Sequence, residues 1–77
     1  MSVELNLHGV RHADVQVKVE DFILLNEPPF KIITGNSMAM RELVTNVLAD
    51  YHCEAMMTPE NLGAIIVLKV GDKGATK

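Results

Sequence analysis

The chain has 77 residues, of which 48% are hydrophobic and 22% charged, and its formal net charge is −3. A chain of this size forms one domain with a small core, and its composition is that of a globular protein rather than a disordered one. The acidic total argues against strong non-specific binding to nucleic acid, which requires clustered Lys and Arg. The apolar runs are far shorter than the ~20 residues that cross a bilayer, and no signal peptide is visible. We therefore expect no membrane partner.

Cysteine and histidine usage predicts neither a metal nor a cofactor. Cys53 is the only cysteine, so no disulfide forms within the chain, and a reducing, cytoplasmic compartment is expected. We expect Cys53 to be a small, partly buried apolar residue. His8 and His12 lie close in sequence, but His52 belongs at the far end of a predicted helix, so no third ligand has recognisable spacing.

The first two predicted elements are a strand and a helix. Apolar and polar side chains alternate from residue 3 to residue 8, which is typical of a strand, and Gly9 ends the pattern. Residues 13–25 fit both a strand and a helix. We assign a helix because the run is long enough and because Asp14 suits the positive end of a helix dipole. This choice puts Val17 on the outer face.

The remaining elements follow in order along the chain. Residues 26–29 form a turn because paired prolines cannot continue a helix, and residues 30–33 form a short strand. After a break at residues 34–37, the clearest helical pattern follows at Met40, Leu43, Val44, Val47, Leu48 and Tyr51. Asn36 or Ser37 is its expected N-cap.

The C-terminal part predicts two further strands. Residues 53–58 form the third strand, in which one of Met56 and Met57 points outward. Residues 59–63 form a turn, residues 64–70 a strand, and residues 71–77 a polar tail.

This order, β-α-β-α-β-β, predicts an α/β two-layer sandwich with two helices on a mixed four-stranded sheet. The chain is then one domain at residues 1–77, with a core at about residues 3–70. A β-α-β crossover makes the first two strands parallel, and the short turn makes the last two antiparallel.

The breaks after the first two strands predict a binding site. If these strands are neighbours, His8 and Gly9 lie beside residues 34–37, at the edge where open α/β sheets bind ligands. The start of the second helix offers unpaired N–H groups to an anion there, and Gly35 lets a phosphate approach the backbone. Residues 5–12 and 28–41 hold Arg11, Lys31 and Arg41 but no acidic residue.

The predicted nucleic-acid-binding residues belong to these two windows. They are Asn6, His8, Gly9, Arg11, His12, Lys31, Thr34, Gly35, Asn36, Ser37 and Arg41.

The motifs at these positions resemble those of the small MutS-related (Smr) domain. L-N-L-H-G at residues 5–9 resembles the family's L-D-L-H-G motif, and I-I-T-G-N-S at residues 32–37 resembles its second motif, I-I-H-G-x-G. The resemblance covers about residues 3–70. It implies a β-α-β-α-β-β domain that binds DNA or RNA and, in several members, nicks or cleaves it. His8, Gly9, Gly35 and Arg41 match motif positions.

Three positions depart from the family pattern and bear on cleavage. The family's aspartate is Asn6 here, its second histidine is Thr34, and its last glycine is Ser37. Asparagine is not a general base, so His8 is the remaining candidate for the proton acceptor of a hydrolysis. Nothing in the first motif orients His8 as a carboxylate would.

Three functions follow from the sequence. The first is a nucleic-acid-binding module, for DNA or RNA, with weak or absent endonuclease activity. The alternatives are a small nicking endonuclease that uses His8, and a protein-interaction or homo-oligomeric assembly module that no longer binds nucleic acid.

Overall fold

The computed structural model describes residues 3–58 and 61–71. Its elements, in chain order, are β1 (Val3–Asn6), α1 (His12–Leu25), β2 (Phe30–Ile33), α2 (Met38–Asp50), β3 (Glu54–Thr58) and β4 (Asn61–Lys69). This order confirms the predicted α/β fold with two helices and four strands.

The four strands form one mixed sheet in the order β1-β2-β4-β3. β1 runs parallel to β2, with Leu5 opposite Ile32. β4 lies between β2 and β3 and is antiparallel to both. Both parts of the predicted strand pairing, the parallel first pair and the antiparallel last pair, are therefore confirmed.

Both helices contribute to the core on one face of the sheet. Val15, Val19 and Ile23 of α1 are buried, whereas Val17 is 59% exposed. This burial has the i, i+4 and i+8 spacing of a helix, so the helical assignment of residues 13–25 is confirmed. Val17 lies on the outer face, as expected.

The sheet and α2 supply the rest of the core. Phe30 and Ile32 alternate with the partly exposed Lys31 and Ile33, because successive strand residues point to opposite faces. The other buried hydrophobic residues include Leu7, Met40, Val44, Val47, Leu48, Tyr51, Ile65 and Val67.

One expectation for the C-terminal strands is wrong. Residues 61–63 belong to β4 rather than to a turn, and Thr58 pairs with Asn61. Met56 pairs with Ile66 on the sheet face opposite the helices, in line with the expectation that one of the two methionines points outward, and both methionines are partly exposed. β3 is an edge strand, and its register shifts between Met56 and Thr58, which interrupts the regular alternation of side chains.

Two sequence predictions lie partly outside the described residues. These are the turn at Pro59 and Glu60 and the polar tail beyond Gly71. Within the part of the chain that the structure describes, no helix has both the length and the apolar character needed to span a bilayer.

Candidate nucleic-acid interface

The two predicted breaks lie side by side. The backbone N–H of Leu7, just after β1, donates to the carbonyl of Ile33 at the end of β2 over 2.9 Å. Because His8 follows Leu7 and Thr34 follows Ile33, the chain leaves both parallel strands at the same edge of the sheet. We call residues 6–9 the first turn and residues 34–37 the second turn.

The first turn is held by backbone hydrogen bonds and by Asn6. Asn6 Oδ1 accepts a hydrogen bond from the His8 backbone N–H over 2.8 Å, and the Val10 N–H donates to the Leu7 carbonyl. Gly9 has φ 82°, a conformation that favours glycine. His8 is exposed, and among the described residues its imidazole has no hydrogen-bond partner. Asn6 therefore fixes the His8 backbone and leaves its ring free.

The second turn is anchored on β4. The Gly63 carbonyl accepts hydrogen bonds from the backbone N–H groups of Thr34, over 2.7 Å, and Gly35, over 3.0 Å. The buried Thr34 hydroxyl lies 3.1 Å from the same carbonyl and donates to it. Thr34, which we predicted to bind nucleic acid, is therefore a structural residue whose hydroxyl bonds to the backbone.

Helix α2 begins at this edge. Ser37 is its N-cap, and its Oγ accepts a hydrogen bond from the Met40 N–H over 3.1 Å, which confirms one of the two expected caps. The first turn of a helix leaves backbone N–H groups unpaired and carries the positive end of the helix dipole. Asn36 and Met38 are exposed beside it. The edge thus presents hydrogen-bond donors that suit an anion.

Arg11 and His12 extend this edge at the start of α1. Both are exposed, and Arg11 is the N-cap residue of α1. Arg11 Nε lies 4.0 Å from Asp14 Oδ2, one helical turn along, and both side chains are open to solvent. An exposed ion pair of this kind contributes little energy, so Arg11 can exchange Asp14 for a phosphate.

Arg41 lies near the start of α2. It shares a cleft of about 360 Å³ with Thr45, and Thr45 also lines a cavity against β3. Arg41 is therefore on the flank of α2 that faces β3. Its Nε is buried and has no hydrogen-bond partner among the described residues. A buried donor without an acceptor is unfavourable, so an incoming acceptor would stabilise this guanidinium.

Lys31 lies away from the two turns. It is on the sheet face opposite the helices, beside Glu4 of β1, and Lys31 Nζ is 3.9 Å from Glu4 Oε2. Lys31 lies two residues before the end of β2, and strand alternation turns its side chain away from the core. The structure therefore does not bring Lys31 to the predicted interface.

The interface is less positive than the two sequence windows indicated. Asp14 and Glu42 lie just outside the windows, yet Asp14 pairs with Arg11, and Glu42 lines the cleft of Arg41. Asp14 lies one helical turn from Arg11 and Glu42 directly follows Arg41 in the chain, so counting charges within the sequence windows missed both carboxylates. Within residues 3–58 and 61–71, no three His, Cys, Asp or Glu side chains gather as metal ligands.

Comparison of the chain with protein-family models, with curated proteins and with solved structures yields no match.

Proposed function

We propose that this protein is a nucleic-acid-binding domain that contacts the phosphate backbone with the edge formed by the two turns and the helix starts. The hydrogen bond from Leu7 to Ile33 carries this proposal, because it brings the first turn, the second turn and the start of α2 to one edge. The resemblance of both turns to Smr motifs supports the same function.

The shape of the edge favours an extended ligand over a small anion. Arg11 and His12 lie at the start of α1, after the first turn, and Arg41 lies in the first turn of α2, after the second turn. Basic groups spread along an edge match the repeating phosphates of a nucleic-acid chain. The acidic neighbours of both arginines keep the affinity modest, because each must be displaced or outweighed.

We propose that the protein binds nucleic acid without cleaving it efficiently. The His8 imidazole is exposed and unsupported among the described residues, and the Asn6 amide oxygen bonds to the backbone rather than to that ring. A general base works best when a partner fixes its orientation and proton. The nicking endonuclease that uses His8 remains the alternative that a cleavage assay tests.

A fluorescence titration with labelled single-stranded and duplex DNA and RNA tests binding, and it should be repeated at several salt concentrations. Two arginine–phosphate contacts predict a slope of roughly −2 for log K against log salt on duplex DNA. Arg11→Ala should weaken binding and flatten the slope by about 1. Arg41→Lys, which keeps the charge but loses the planar donor fork, should weaken binding with little change in slope.

Lys69→Ala is the matched control, because Lys69 is at the end of β4 that lies away from the two turns. It removes the same charge as Arg11→Ala and should leave binding nearly unchanged. A millimolar, salt-insensitive response, or equal losses for Lys69→Ala and Arg11→Ala, would contradict the proposal.

Exposed apolar side chains favour a second candidate, the protein-interaction module. Leu24 and Leu25 at the end of α1 are 68% and 81% exposed, and Met38 is 70% exposed. The adjacent Leu24 and Leu25 expose apolar surface that a partner could cover. Light scattering coupled to size exclusion would favour this candidate if it shows a stable dimer, and Leu24→Lys and Leu25→Lys should then return the dimer to a monomer.

A further inference from the structure

Two of the three histidines lie at the edge that we propose to bind nucleic acid. His8 is in the first turn, and His12 is the first residue of α1. Between them the Val10 N–H donates to the Leu7 carbonyl over 3.0 Å, so the chain turns and keeps both histidines near this edge. The third histidine, His52, lies two residues beyond the end of α2. A helix of 13 residues is about 20 Å long, so His52 is far from this edge.

The fold does not use the imidazole of His8 or of His12. Both side chains are exposed. Within residues 3–58 and 61–71, neither ring forms a hydrogen bond or an ion pair. Both rings are therefore open to protonation from solvent and to contact with a ligand.

The charged groups around these two rings come from both helices and nearly cancel. Arg11 pairs with Asp14 on α1, and Glu42 lines the cleft of Arg41 on α2. The second turn and residues 61–64 of β4 contain no Asp, Glu, Lys, Arg, His, Cys or Tyr. With both imidazoles neutral, two arginines face two carboxylates, and the edge carries no net charge from these side chains.

We propose that protonation of His8 and His12 makes the edge positive, so that nucleic-acid binding strengthens as pH falls. This inference rests on the proposed function. Histidine is the side chain whose ordinary pKa puts its charge change between pH 5 and pH 8, whereas carboxylates ordinarily titrate near pH 4. A nearby phosphate favours the charged imidazole. Because linkage is reciprocal, the protonated edge binds phosphate more tightly.

Titration of the full chain with labelled duplex DNA at pH 8 and at pH 5.5, each at several salt concentrations, tests this proposal. Two added phosphate contacts should steepen the slope of log K against log salt from roughly −2 to roughly −4. Binding in about 0.15 M salt should be about tenfold or more tighter at pH 5.5. His8→Asn and His12→Asn should each remove about half of the added slope, and the double variant should keep a slope of roughly −2 at both pH values.

His52→Asn is the matched control, because it removes the same imidazole beyond the far end of α2. Asparagine tolerates the φ of 55° at this position, and the variant should show the same change of slope as the unmodified chain. Thermal unfolding at both pH values checks that each variant is folded.

The outcomes separate this inference from the proposed function. Salt-dependent binding at pH 8 with an equal slope at pH 5.5 would overturn the pH dependence and leave the proposed function standing. Equal effects of His52→Asn and of the double variant would also overturn it. Absence of salt-dependent binding at both pH values would contradict both proposals.

Discussion

Gly63 of β4 lies directly against Gly35 of the second turn. A Cβ atom on Gly63 would lie 3.0 Å from the Gly35 carbonyl oxygen and 3.1 Å from its carbonyl carbon. Both neighbours are backbone atoms of a turn already bonded to Gly63, so they can move only if the turn moves. The second turn is therefore shaped by a strand from the other end of the chain.

Gly63→Ala should distort the second turn. The added methyl group must displace the Gly35 backbone, and such overpacking typically costs about 1–3 kcal/mol. Urea unfolding measures this loss of stability, and the salt-dependent titration should show weaker nucleic-acid binding under conditions where the variant is folded.

Gly9→Ala is the comparison, because a Cβ there meets no atom within 4 Å. Its cost should be the backbone strain alone, about 1–2 kcal/mol. Unchanged stability of Gly63→Ala would contradict the close contact.

Ser37→Asp should separate helix capping from anion binding. Aspartate caps a helix about as well as serine, so the free energy of unfolding should change little. Its negative charge at the start of α2 should repel phosphate and weaken nucleic-acid binding about tenfold or more. Ser37→Ala should show the opposite pattern, with about 1 kcal/mol less stability and nearly unchanged binding. Equal binding by both variants would show that the start of α2 does not contact the nucleic acid.

Asn6→Asp should introduce the carboxylate that the Smr motif carries at this position without loss of stability. A carboxylate oxygen can accept the same hydrogen bond from the His8 N–H that Asn6 Oδ1 now accepts. We expect nicking of supercoiled plasmid to increase relative to the unmodified chain, because a carboxylate next to His8 supports a general base. The double variant Asn6→Asp, His8→Ala controls for contaminating nuclease and should be inactive. Cleavage that survives in that double variant would rule out His8 as the base.

Cys53 should make stability depend on pH in the alkaline range. Burial raises the pKa of the Cys53 thiol above its ordinary value of 9.0, and the Gly71 hydrogen bond offsets part of this shift. The folded chain then holds the thiol proton more tightly than the unfolded chain. The resulting stability is complete below the unfolded pKa and is lost as pH rises through the folded pKa. Urea unfolding between pH 8 and pH 11 should show this fall, and Cys53→Ala should show a smaller one.

The sequence indicated correctly where most of the predicted interface residues lie in the fold. Asn6, His8, Gly9, Arg11, His12, Gly35, Asn36 and Ser37 lie at or beside the two turns, as their position after a strand or before a helix indicated. Lys31 does not, because strand alternation turns it to the opposite sheet face, where Glu4 pairs with it. Arg41 lies on the flank of α2 that faces β3. Its position near the start of the helix did not show which side of the helix its side chain would occupy.

The sequence by itself determined the element order and the core faces, because period-2 and 3.6-residue patterns of apolar residues, together with Gly, Pro and Ser signals, are local properties of the chain. Tertiary structure alone decided that β4 runs between β2 and β3, so that Gly63 anchors the second turn and residues 61–63 are strand. It also decided that β3 pairs irregularly with β4 at the edge of the sheet, where Met56 and Met57 both stay partly exposed. Strand order and register depend on pairing between segments distant in the chain, and such pairing leaves no periodic signal in either segment.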